Sequence, residues 1–504
     1  MACLALSTSA LLAGCGSTYR ATIGTNTPTP VPTEPFYLPV VVSTAGSVSQ
    51  GTATLFESPG ESTILDLSGD SVVDLVNVGI APVALVEGSG GSIAYVVDLG
   101  STASPYTPQV SSFGISSTTQ TPQVNTTSLN VGTGAIYSPL APAQPTPCTT
   151  PFATPPPAVF ADASLIYVSQ TTANQVLPLS RNISGTGVPA LESVLATAGV
   201  VANFTGLTTG TTAYAIERDA GTVDVIYTSP STPPTPYIIP GSALTGFVSP
   251  TFGVTSVNGH RAFILNCNGT VTPINTQTNT VMPSIAIPAG NPVWADYYNG
   301  GNLLVTANTT GASTPGSVSI INAAENAQNF GAVLGTATVG NNPSGVAVLQ
   351  DGTRAYAANE GDDCMNNSPG PCASSPATGP VCDCKSVSVV SLSSDTVVKT
   401  VPLFFSDSIQ TVTCPANGLT GTNVTSAVSP TGYPLQIATA PDTVDEKVYV
   451  LCDQPNPLDN IFYVFAIRTY VEYFSDGSSS PADVVSAVIP ISGIPTQLRM
   501  TPAR

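Results

Sequence analysis

Ten cysteines and a single histidine are the residues of this chain best suited to bonding chemistry. Four of the cysteines crowd into "CMNNSPGPCASSPATGPVCDCK" as Cys364, Cys372, Cys382 and Cys384. Four thiolates can hold zinc, but structural zinc favours knuckles with two to four residues between ligands. Here two long gaps precede a gap of one residue, which suits disulfides better. Four cysteines allow three pairings, and a Cys382–Cys384 bridge closes too short a loop for disulfide geometry. Both are therefore expected to pair back to Cys364 and Cys372, each closure stabilising the fold by roughly 2–3 kcal/mol. Cys148, Cys267, Cys414 and Cys452 are scattered and could form two more bridges or stay as buried thiols.

His260, in "NGHRAFIL", sits at the start of a strand and reads as a turn histidine rather than a catalytic base. A lone histidine also excludes zinc-hydrolase arrangements built on several. Two acidic groups are weak calcium candidates: Glu360, Asp362 and Asp363 in "NEGDD", and Asp66, Asp70 and Asp74 in "LDLSGDSVVD". Neither follows the spacing of an EF-hand loop, so solvated turns are expected and no metal is assigned. No G-x-G-x-x-G, P-loop or G-x-S-x-G motif occurs, so no cofactor and no catalytic constellation is expected. Trp294, the one tryptophan, stands at a first-strand position and reads as packing rather than a ligand platform.

The elements that must position these groups are strands. Hydrophobic residues make up 42% of the 504, enough for a large core, while charged residues are only 8%, against roughly 25% in an average domain. Thr, Ser, Gly, Pro and Asn take their place, a mixture that suits many strands joined by many turns. The balance of 30 acidic to 11 basic residues gives a net charge of −19. With no Lys or Arg cluster to neutralise phosphates, nucleic-acid binding is excluded.

The strands recur in order. "NPSGVAVLQDGTRAYAANE", Asn342–Glu360, is a strand, a Gly turn and a second strand; "KSVSVVSLSSDTVVKTVPL" adds two more. The same cadence starts at Asn291, at Phe252 and at Asn203, and late in the chain near Tyr433. Fainter copies start near Ala81 and near Gly134, the latter interrupted by "APAQPTPCTTPFATPPP". Four strands in a unit of about 45 residues is the mark of a β-propeller blade. The wording resembles the YVTN family of propeller repeats, well between Asn291 and Leu403 and faintly before Val200. "GIPTQLRMTPAR" looks like a first strand, and "FYLPVVVS", "STILDLSGD" and "SVVDLVNVG" like second, third and fourth strands without a first. The fold expected is all-β, a propeller of four-stranded blades, eight favoured and seven possible, sealed by its terminal strands in one blade.

At the start, "MACLALSTSALLAGCGS" ends an apolar run in Leu12-Ala13-Gly14-Cys15. All four positions resemble the lipobox of bacterial lipoproteins, although signal peptides normally open with a basic residue and none precedes Cys15. The resemblance implies cleavage after residue 14, acylation of Cys15, and anchoring to a membrane. Gly16 after the cysteine favours the outer membrane by the same resemblance. The domain reading is thus residues 1–14 signal, 15–35 a Thr/Pro-rich tether, and 36–504 one propeller with insertions at about 141–157, 361–384 and 404–430.

The function expected is a monomeric, surface-anchored binding or scaffold module of the cell envelope, with a protein or glycan as partner. The inner strands offer mainly Ala, Val, Gly and Thr to the channel, so an enzyme is not favoured. The alternatives are a lactonase-like hydrolase or quinone-dependent oxidoreductase on the same fold, and a structural envelope protein.

Overall fold

A computed structural model describes residues 39–500 apart from 45–58, 68–69, 89–90, 101–106, 116–122, 130–147, 149–154, 182–188, 230, 232–233, 312–313, 361–385, 404–408, 414–419, 425–433, 441–446, 453–461, 474–478 and 481. Every regular element among them is a strand. Eight antiparallel sheets of four or five strands account for nearly all of these strands. In each sheet the chain runs from an inner strand outward, as in Pro343–Val348, Arg354–Asn359, Ser386–Ser391 and Thr396–Pro402 of the seventh blade. The sixth comprises Asn291–Tyr298, Leu303–Thr309, Pro315–Asn322 and Val333–Asn341. The fifth starts at Pro250–Thr255, the fourth at Val201–Gly206, the second at Pro82–Glu87 and the eighth at Pro434–Thr439.

The first blade is shared between the ends of the chain. Its inner strand is Ile494–Met500, which pairs antiparallel with Pro39–Thr44, followed by Pro59–Asp66 and Ser71–Ile80. This bears out the terminal closure and the count of eight. One start differs from the repeat reading. The inner strand of the third blade is Val159–Ala161, so the Pro-rich stretch precedes this blade rather than interrupting one begun at Gly134. Proline, which lacks a donor N–H, does not continue a strand ladder.

The ring is visible in its packing. Buried apolar residues form eight clusters, and each joins two neighbouring blades. Val41 and Leu65 of the first blade pack with Tyr449, Leu451 and Val464 of the eighth, closing the circle. Each large side chain so buried contributes about 1.5–3 kcal/mol, and the blades meet through these side chains, each sheet keeping only its short inner and outer edge strands.

Two repeated polar devices explain letters that recur in the sequence. The Asn that ends a second strand is buried and donates to paired hydroxyls on the third strand. Asn359 Nδ2 reaches Ser386 Oγ at 3.1 Å and Ser388 Oγ at 3.0 Å; Asn308 Nδ2 reaches Ser317 Oγ at 3.1 Å and Ser319 Oγ at 3.0 Å. Ser388 Oγ in turn accepts from Gly340 N of the preceding blade at 3.2 Å. "AAN" and "SVS" are thus two halves of one buried node. In the second blade Asp98 holds the Asn position, accepting from Ser111 Oγ at 2.6 Å, and burial pushes its carboxyl up to about 7. In the fourth, Glu217 holds it beside Asp224, and burial together with that neighbour pushes it up to about 8.

The second device latches blade to blade. The second-strand tyrosine donates to an Asp or Asn in the turn between third and fourth strands of the next blade: Tyr449 OH to Asp70 Oδ1 and Tyr214 OH to Asn279 Oδ1, both at 2.7 Å, and Tyr356 OH to Asp483 Oδ1. These acceptors lie at φ of 47°, 50° and 55°, a left-handed conformation that Asp and Asn tolerate better than other side chains.

Candidate functional site

Strand direction gives the ring two chemically different faces. Because each inner strand starts where the previous blade ends, the blade-to-blade connections and the turns between second and third strands share one face, termed upper. Turns between first and second strands and between third and fourth strands share the other, termed lower. All three insertions read from the sequence leave the blades on the upper face. Residues 141–157 lie between the second and third blades, 361–384 between Arg354–Asn359 and Ser386–Ser391, and 404–430 between Thr396–Pro402 and Pro434–Thr439. The last contains a hairpin of Ile409–Thr413 and Thr420–Val424. The chain reaches Pro39 at the start of a second strand, on the lower face.

A disulfide joins Cys148 to Cys267 across 119 positions of sequence. Cys267 lies in an upper-face turn of the fifth blade, between Arg261–Asn266 and Thr270–Asn275. The first insertion is therefore fastened to a blade two positions beyond the one it leads into. Cys452 is buried among apolar residues between the seventh and eighth blades. Cys15, Cys364, Cys372, Cys382, Cys384, Cys414, Asp362 and Asp363 lie outside the described residues.

The lower face carries a cavity of about 220 Å³ between the fifth and sixth blades. Its walls are Ser256, Asn258 and Arg261 of the fifth blade and Tyr297, Asn302 and Ala323–Ala327 of the sixth; His260 adjoins them through its bond to Glu325. Glu325 is its centre. His260 Nδ1 lies 3.1 and 3.2 Å from the two carboxylate oxygens of Glu325, Asn258 Nδ2 donates to it at 3.3 Å, and Arg261 Nη1 stands 3.5 Å away. Tyr297 OH donates to Asn302 Oδ1 at 3.1 Å, and burial together with the Glu325 charge raises the tyrosine's pKa. The Ser256 hydroxyl donates to Asn258 Oδ1 at 2.7 Å. His260 is thus an oriented imidazole with a carboxylate partner. Sequence reading missed that partner, because Glu325 stands 65 positions away in the unremarkable "NAAENAQNF".

The channel strands differ from the small-residue lining expected. They also carry Glu87, Asp296, Gln436, Gln497 and Arg499. Several of these tie one inner strand to the next: Asp296 Oδ2 accepts from Val348 N at 2.8 Å, Gln436 Oε1 from Leu498 N at 2.7 Å, and Gln497 Oε1 from Leu85 N. Burial raises the Asp296 carboxyl and takes Glu87 up to about 8, with the Arg499 charge opposing the latter shift. Trp294 stacks on Phe252 with ring centroids 4.3 Å apart. Three of the acidic candidates have partners in the structure. Asp70 is taken by Lys447 Nζ at 2.8 Å, Asp74 Oδ1 by Leu75 N at 2.8 Å, and Glu360 Oε2 by Asn342 Nδ2 at 2.7 Å. Among the described residues no three or more His, Cys, Asp or Glu side chains converge on one point.

Residues 254–430, about a third of the chain, match the family model of the Choice-of-anchor I domain. No curated protein matches significantly. Solved structures with a similar course of chain include a Bacteroides uniformis protein assigned provisionally as a 6-phosphogluconolactonase, 15% identical over 65% of this chain and 90% of its own, with a TM-score of 0.45. A Bacteroides fragilis protein with the same provisional assignment is 13% identical over 81% and 98%, with a TM-score of 0.44. Kuenenia stuttgartiensis hydrazine synthase is 14% identical over 67% and 96%, with a TM-score of 0.42.

Proposed function

We propose that this propeller is an anchored binding module of the bacterial cell envelope. Acylated Cys15 holds it to the outer membrane, residues 15–35 act as tether, and the upper face presents its insertions to a protein or glycan partner. The observation that carries this reading is the segregation of the two ends of the ring. The described chain starts at Pro39 on the lower face, while the blades part on the upper one for all three insertions. Loops on a rigid scaffold are where binding surfaces are built. The Choice-of-anchor match over 254–430 supports surface attachment, and a net charge of −19 keeps the presented domain soluble.

Replacing Cys15 with Ala removes the acylation point. In cells, Cys15→Ala is expected to move the protein from the membrane pellet to the soluble fraction and to abolish labelling by a radioactive fatty acid. A variant that stays in the pellet and still takes up label contradicts the anchor.

A further inference from the structure

We infer that the lower-face cavity around Glu325 is a binding site for a single glycosyl unit. The inference goes beyond the display reading above and does not depend on it, since it concerns the opposite face of the ring.

Size comes first. A cavity of about 220 Å³ has the volume of roughly seven liquid waters at about 30 Å³ each, and is smaller than the ~300–1,000 Å³ of pockets for drug-sized ligands. That volume matches a single sugar ring. Charge comes second. Glu325 faces Arg261 and His260 inside the same site, so neither sign dominates and an ion is not selected. Hydrogen-bonding character comes third. Of the roughly four acceptor positions of the carboxylate, Asn258 and His260 take two, which leaves about two for a ligand; Asn302 and Asn326 line the same cavity, and the Tyr297 hydroxyl, which donates to Asn302 Oδ1, can still accept. Acceptors and donors a few ångströms apart are what vicinal hydroxyls need, each hydroxyl giving one hydrogen and taking another. The Tyr297 ring supplies an apolar wall for the carbon face of a sugar. The walls are also preformed: Glu325 is held by Asn258 and His260 from the neighbouring blade, so little is lost in ordering them on binding.

The chain has one histidine, which makes its imidazole a unique reporter of this cavity. With [13C]histidine-labelled full-length protein, the His260 signal is followed at fixed pH while glucose, galactose, mannose and N-acetylglucosamine are titrated in, each as free sugar and as methyl glycoside. At least one is expected to give a saturable shift in the millimolar range. Binding of the methyl glycoside indicates a unit within a glycan chain; binding of the reducing sugar alone indicates a free monosaccharide. Glu325→Gln is expected to weaken binding about tenfold or more. Asn326→Ala, at an exposed position, is expected to weaken binding with unchanged thermal unfolding, which separates loss of contact from loss of fold. No saturable shift with any of the eight probes, or a shift untouched by both substitutions, overturns the assignment. Either failure leaves the Cys15 experiment unaffected.

Discussion

Asp98→Asn is expected to stabilise the protein at pH 8 and leave it nearly unchanged at pH 4. Asp98 is fully buried at the second-strand position that Asn308 and Asn359 fill in other blades. Its folded pKa is about 7 against an ordinary 3.8, raised mainly by loss of hydration and lowered in part by bonds from Ser111 and Gln109. The sign follows from linkage. Between these values the folded state holds a proton that the unfolded state has released, so stability is greatest below about 3.8 and falls as pH rises toward 7. Above 7 the fold carries a desolvated carboxylate at a cost of about 3–5 kcal/mol, taking ~1.4 kcal/mol per pKa unit. Asparagine has no proton to lose, and it can donate to Ser111 as Asn359 donates to Ser388. A gain of about 2–4 kcal/mol at pH 8 is expected from urea unfolding, with a flatter pH profile than the parent. Glu87 and Glu217, both raised to about 8, retain their share of the slope. Equal slopes in parent and variant would remove Asp98 from the account.

Lys447→Met is expected to cost about 3–5 kcal/mol, the usual penalty for leaving a buried charge without its partner. The Asp70 side chain is 0% exposed and Lys447 is 7% exposed. The ammonium reaches Asp70 Oδ2 at 2.8 Å and Leu67 O at 2.7 Å. Asp70 belongs to the first blade and Lys447 to the eighth, so the pair sits on the joint that closes the ring. Tyr449 OH at 2.7 Å then remains as the main donor to a buried carboxylate. The double variant Lys447→Met with Asp70→Asn removes both charges and is expected to recover most of the loss. Chemical unfolding of the four members of this cycle gives the coupling energy directly. A single-variant cost under about 1 kcal/mol would mean that the joint is held by apolar packing alone.

The architecture was legible because a propeller repeats itself. The period near 45 residues recurs along the chain, the paired Asn and "SVS" letters recur in the sixth and seventh blades, and the terminal segments supply the missing parts of one blade. The faint copy near Gly134 misled because a Pro-rich insertion stands where an inner strand would start, and the strand that follows it is only three residues long. The pocket was illegible for the opposite reason. His260 and Glu325 belong to different blades, and the site exists only because a first-to-second-strand turn of one blade meets a third-to-fourth-strand loop of the next. No spacing within a single repeat encodes that meeting. The bridge from Cys148 to Cys267 is likewise a property of the ring, since 119 positions separate residues that one face brings together. Asp98 and Glu217 were hidden in another way: each replaces an Asn inside a motif whose structural purpose, a buried node, the letters alone do not state.

The proposed tether and the three insertions leave opposite faces of the ring, and energy transfer to a membrane tests that arrangement. Gln277 and Asn268 are exposed at opposite ends of the fifth blade, the first on the lower face and the second on the upper. A donor dye is placed at one or the other in lipidated protein reconstituted into vesicles that carry an acceptor-labelled lipid. Stronger transfer from Gln277 than from Asn268 is predicted; equal transfer, or stronger transfer from Asn268, contradicts a module that turns its insertions away from the bilayer.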